Sequence, residues 1–150
     1  MTVPPMYMGP AMEELDGATY HAKQDTSAGG VARNIAEGIY KIYGNVNLIS
    51  AVGNDQNGVH IRGLLPEHCA SSIVTLGNCP TASFTVLLDR KGDCQLVVGD
   101  MEAHKAITPD WSPMTVIDAN ISETAMITVF EECIRYNRPA TTVKASASMV

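Results

Sequence analysis

The sequence predicts an α/β fold with a mainly parallel sheet and a small β lid, and three stretches carry that expectation. A Gly-Gly bend at Gly29 and Gly30 opens into a run with helical spacing, then into an apolar strand over 46–52. Two strand-like runs, 81–88 and 94–98, flank a charged, glycine-containing turn at 89–93 and form a hairpin signal. A short apolar strand over 114–119 passes through Asn120 into an amphipathic helix over 122–136. Short strands alternating with such helices favour parallel pairing.

In chain order, residues 1–14 carry Pro4, Pro5 and Pro10 with neither alternation nor helical period, and are expected to be a flexible leader. Residues 18–23 contain Thr19 and Tyr20 and read as a short strand entering the bend. The helix over 30–43 places Val31, Ile35, Ile39 and Ile42 on one stripe, expected to face the core, and Gly44-Asn45 stops it. The run 46–52 reads as a buried parallel strand. Residues 54–57 lack the spaced carboxylates of a calcium loop and read as a turn. A short helix over 59–65 ends before Pro66, and 71–76 is another strand.

The run 81–88 alternates, with Ala82, Phe84, Val86 and Leu88 on one face and Thr81, Ser83, Thr85 and Leu87 on the other. One polar face suits a lid over a polar ligand and equally suits an ordinary half-buried hairpin. Residues 100–110 form a polar connection broken by Pro109. Ser122 is the expected N-cap of the last helix, whose stripe is Met126, Val129, Phe130, Cys133 and Ile134. Residues 141–143 begin a further strand, and 144–150 are an irregular tail. The domain layout is thus a leader at 1–14, one domain over 15–143 with lid strands near 17–25, 81–88 and 94–99, and the tail.

Composition narrows the function. With 150 residues, 45% hydrophobic and 17% charged, the chain suits one folded domain. A net charge of -6 argues against a sequence-independent nucleic-acid binder. No apolar run reaches the roughly 18 residues of a membrane span, and the start lacks a signal-peptide pattern, so a cytoplasmic protein with no membrane partner is expected. Cys69, Cys79, Cys94 and Cys133 show neither Cys-x-x-Cys nor zinc spacing, so reduced, mostly buried thiols and no metal site are expected. His68 and Cys69 are adjacent and would not face each other on a helix.

The candidate site begins at the bend. Paired glycines let the backbone approach a ligand, and the following helix offers unpaired N–H groups and a positive dipole end. Asn34 lies one turn beyond Gly30, on the same face, and its carboxamide suits a vicinal diol. A glycine-tolerant turn with an Asn on a helix flank fits the same residues. Asn120 lies past the end of a strand, where open α/β sheets bind ligands, and a turn residue there is the equal alternative.

Gly29, Gly30, Ala32, Asn34, Ala36 and Gly53 together resemble the first motif of the ribokinase-like (pfkB) carbohydrate kinases. The motif's intermediate glycine is expected where Tyr43 stands, and Gly44 comes one residue late. Val52-Gly53-Asn54-Asp55-Gln56-Asn57-Gly58 extends the likeness. Asp16-Gly17-Ala18-Thr19-Tyr20, Gly99-Asp100-Met101, Ile107-Thr108-Pro109 and Asp118-Ala119-Asn120-Ile121-Ser122 look like the pseudouridine kinase branch.

The resemblance implies a ribokinase-like three-layer αβα fold with a β-sheet lid, truncated at both ends. It also implies a whole-protein reaction, the 5′-phosphorylation of pseudouridine with ATP and Mg2+. It makes Gly29, Gly30 and Asn34 the sugar contacts, with Ser83, Asp100 and Asn120 as weaker candidates. The family's catalytic base sits in a Gly-Ala-Gly-Asp motif, which does not occur in these 150 residues, and Asp16 is misplaced to be the family's sugar-binding acid. No catalytic residue and no bound ATP or Mg2+ are therefore expected of this chain alone. Its expected partners are a nucleoside or sugar and a second copy paired through the lid. The alternative is a truncated, non-catalytic product, acting at most as a nucleoside-binding or dimerisation module.

Overall fold

The structure is a computed structural model that describes residues 2–3, 5–7, 22–108 and 113–143. Its elements are β1 (Thr2–Val3), β2 (Pro5–Tyr7), β3 (Lys23–Gln24), β4 (Ser27–Ala28), α1 (Val31–Tyr43), β5 (Ser50–Gly53), α2 (Gln56–Gly63) and β6 (Ile73–Leu76). There follow β7 (Ser83–Leu88), β8 (Cys94–Asp100), a 3-10 helix (Glu102–Ala106), β9 (Thr115–Asp118), α3 (Glu123–Arg135) and β10 (Ala140–Val143).

Two parallel pairs are crossed by helices, β5 with β6 through α2 and β9 with β10 through α3. The lid is a four-stranded sheet in the order β3-β2-β7-β8. Its hairpin, β7 with β8, is antiparallel, as the alternation predicts, and shifts register between Leu87 and Leu88. Ala82, Val86 and Leu88 are buried. Across the hairpin Phe84 faces Gly99, where a Cβ would stand 2.3 Å from the ring. The missing side chain lets the aromatic lie over the neighbouring strand.

The leader expected over 1–14 is corrected at five residues. β1 pairs antiparallel with β4, and β2 lies between β3 and β7, parallel to the latter. Proline at the first residue of β2 costs little pairing, because a strand's first N–H is dispensable. The rest of 1–14, the motif at 16–20, Pro109 and the tail lie outside the described residues.

Other boundaries shift for local reasons. The strand expected over 46–52 begins only at Ser50, because Leu48 donates its N–H to the Cys69 carbonyl at 2.8 Å instead of to a strand. α1 ends at Gly44, whose φ of 72° makes the left-handed cap and whose N–H reaches the Tyr40 carbonyl at 2.7 Å. The helix is thus one residue longer than the motif spacing allows for. α1 meets the core cluster through Ala32, Ala36 and Tyr40, while Ile42 is 75% exposed. Ala36 shares that cluster with Leu48 and Val52. In α3, Cys133 is buried, but Ile134 is 80% exposed and leaves the expected stripe.

The end of β5 is held by one carboxylate. Asp55 caps α2 by accepting the Gly58 N–H at 2.7 Å. It also accepts the Thr81 hydroxyl at 2.6 Å and the Thr81 N–H at 2.7 Å. The Thr81 Oγ1 in turn accepts the Gly53 N–H at 2.9 Å. This contact needs bare backbone: a Cβ on Gly53 would lie 2.5 Å from the Thr81 nitrogen, and one on Gly58 would lie 2.2 Å from the Gly53 carbonyl. The Thr81 hydroxyl and N–H hold the Asp55 carboxyl below its ordinary value of 3.8.

Thr81 is buried, so Thr81→Val, which keeps the shape, strands the Gly53 N–H and removes the hydroxyl's link to Asp55, while the backbone N–H at residue 81 still reaches that carboxylate. We expect a loss of about 1–3 kcal/mol in urea unfolding, largely restored by Thr81→Ser. Because the folded Asp55 is the stronger acid, its contribution is present above pH 3.8 and is lost as pH falls through its folded value. Thr81→Val therefore flattens the acid limb of stability against pH.

Candidate functional site

Gly30 is the N-cap of α1 with φ 104° and ψ 121°, a conformation that favours glycine. No side chain caps this helix and its first turn holds no acid, whereas Asp55 caps α2 and Ser122 caps α3. Of the three α-helices among the described residues, the one whose N-terminus has no side-chain cap is the one at the predicted hinge. Asn34 donates its N–H to the Gly30 carbonyl at 2.9 Å, which fixes it one turn on. Its side chain is exposed, and its Oδ1 accepts from Arg33. Gly29 and Gly30 are half-buried.

An open pocket of about 430 Å³ lies between the end of β8, the 3-10 helix and the β9–α3 turn. Asp100, His104, Lys105, Asn120 and Ser122 are among its walls. Asp100 accepts the Glu102 N–H at 3.0 Å, and Asn120 donates its N–H to the Asp118 carboxylate at 3.0 Å. The fold thus brings Asp100 and Asn120 together across 20 residues of sequence. Ser83 pairs with Asp100 in the lid ladder but does not line the pocket, and neither do Gly29, Gly30 and Asn34.

Two residues escape the sequence reading. Arg33 donates to the Gly29 carbonyl at 3.2 Å and pairs with Glu37 at 2.7 Å. Its four-residue spacing to Glu37 is a signal available in the sequence. His104 sits in the polar connection with no local signal. Its Nδ1 is the one buried side-chain polar atom without a partner among the described residues. Burial pushes its pKa below the ordinary 6.5, and the Asp118 carboxylate opposes that shift.

Cys69 and Cys133 are buried, Cys79 is half-buried, Cys94 is exposed, and all four are free. Among the described residues no group of three His, Cys, Asp or Glu could hold a metal ion, and no helix is long and apolar enough to cross a membrane.

The profile of the pfkB family carbohydrate kinases matches residues 9–145. The chain belongs to that family. It is 31% identical over 119 residues to the pseudouridine kinase of Escherichia coli, an alignment covering 69% of this chain and 37% of that protein. Among solved structures it resembles ribokinase from Cryptococcus neoformans in complex with ADP, at TM-score 0.75 and 15% identity, over 99% of this chain and 47% of the other. It also resembles the Burkholderia thailandensis nucleoside kinase in complex with inosine, at TM-score 0.68 and 15% identity, over 94% of this chain and 50% of the other. These likenesses establish the ribokinase-like α/β fold expected from the motif. The pfkB chain spans 37% of its curated relative and about half of these solved kinases.

The His104 environment gives a pH test. A base whose pKa falls on folding binds fewer protons folded than unfolded, so acidification below its ordinary 6.5 destabilises the fold. Urea unfolding between about pH 5 and 7 should show this loss, and His104→Gln should reduce it. An identical pH slope in the variant would remove His104 as its source.

Proposed function

We propose that this chain is the sugar- or nucleoside-binding part of a pfkB-type kinase. The whole-protein reaction would be ATP-dependent 5′-phosphorylation of pseudouridine. The hinge carries this reading: Gly30 at φ 104° opens an uncapped helix, with Asn34 one turn behind. Backbone N–H groups at that end can donate to ribose oxygens, and the Asn34 carboxamide can add a side-chain contact. The likeness to a pseudouridine kinase favours a C-nucleoside.

Phosphoryl transfer also needs a base and charge stabilisation at the phosphate. The family's Gly-Ala-Gly-Asp motif does not occur in these 150 residues, and the described residues offer no metal cluster. The chemistry assigned to this chain is therefore binding and orientation of the acceptor nucleoside. ATP and Mg2+ belong to the whole protein, as the ADP-bound neighbour suggests.

Gly29, Gly30 and Asn34 are the proposed primary contacts, with Ser83, Asp100 and Asn120 toward the lid. The lid also fits a homodimer: β8 is its outer strand among the described residues, with Val97 52% and Val98 58% exposed. A cytoplasmic location accords with this metabolic role.

Titration calorimetry tests the assignment. Pseudouridine is expected to bind more tightly than uridine, and Asn34→Ala to weaken binding about tenfold or more. An absence of heat with both nucleosides rejects the reading for this chain.

A further inference from the structure

We propose that Arg33 is the positioning residue of the hinge, fixing the orientation of the Asn34 carboxamide with its Oδ1 on the guanidinium and its NH2 left for a ligand. The inference rests on the hinge being the sugar site.

Arg33 bonds to both sides of that hinge. Its Nε donates to the Gly29 carbonyl at 3.2 Å, and its Nη2 to the Ala28 carbonyl at 3.4 Å and to the Asn34 Oδ1. Its Nη1 is anchored on the Glu37 carboxylate at 2.7 Å, one helical turn away. The side chain is only 12% exposed, so the fork is held largely out of water. Glu37 is tied in turn to Lys41 at 2.6 Å. One planar group thus gathers two carbonyls before the helix and one carboxamide within it.

The consequence concerns polarity. A carboxamide has an acceptor oxygen and a donor NH2. With one lone pair of Oδ1 held by Arg33, the carboxamide plane is fixed and both Nδ2 hydrogens are offered to a ligand. The hinge amides are donors as well. The site is then weighted toward donors that recognise oxygen lone pairs, with Arg33 setting the direction in which the Asn34 NH2 points. Lysine cannot substitute, since a single ammonium on a flexible stem lacks the fork's fixed divergence.

Two variants and one ligand-free measurement test this. Asn34→Asp keeps an oxygen for Arg33 and removes the NH2. Arg33→Lys keeps the charge and removes the fork. In the ligand-free wild-type chain, the Arg33 Nε–H resonance is expected to be protected from solvent exchange, and protected again in Asn34→Asp. In Arg33→Lys, the Asn34 side-chain amide resonances are expected to shift while the thermal midpoint stays close to wild type. With pseudouridine as the probe, both variants are expected to bind roughly tenfold more weakly.

Wild-type affinity in either variant overturns the proposal, as does rapid exchange of the Arg33 Nε–H in the wild type. If the wild type binds no nucleoside while the protection and the Asn34 shift are both seen, the clamp stands and the hinge's role as a sugar site falls.

Discussion

The Asp55 carboxylate is the point on which the described parts of this protein turn. It caps α2, accepts both donors of Thr81, and through the Thr81 hydroxyl reaches back to the last residue of β5. One side of that junction is a parallel β-α-β unit, and the other is the entry to the lid hairpin. Exposed pairs such as Lys105 with Glu102 contribute little, because solvent screens them and ordering long side chains costs entropy. The Asp55 contacts differ in kind. Thr81 is 4% exposed, and a buried donor or acceptor left unmatched costs more than a surface ion pair gains.

Much of this architecture is legible in the sequence where the determinants are local. Periodicity finds α1 and α3, alternation finds the β7–β8 hairpin, and the glycine spacing points to the family. The Asp55 role is not legible, because its partner Thr81 lies 26 residues away and only folding joins them. Read alone, Asp55 is a turn residue. Strands as short as Thr2–Val3 and Pro5–Tyr7 carry too few residues to show a period, and the Pro4-Pro5 pair points the other way. The α1 stripe misleads because isoleucines outweigh alanines on any hydrophobicity scale, yet Ala36 is the buried one.

The candidate site divides along the same line. Gly29, Gly30 and Asn34 are within six residues of each other, and local geometry alone brings them to one helix start. Asp100 and Asn120 meet only because β8 and β9 deliver their ends to one pocket. His104 enters that wall through a 3-10 helix that buries Ala103 completely and packs against β5. Arg33 belongs to the local class, but its importance depends on the carbonyls exposed by the Gly-Gly bend.

The cysteines have a practical corollary. Cys69 and Cys133 are enclosed in packed interior, whereas Cys94 stands open to solvent at the first residue of β8, across from Leu88 at the register shift. An alkylating fluorophore would meet this thiol before the enclosed ones. The lid hairpin thus brings its own attachment point for a dye, at the place where its two strands fall out of step.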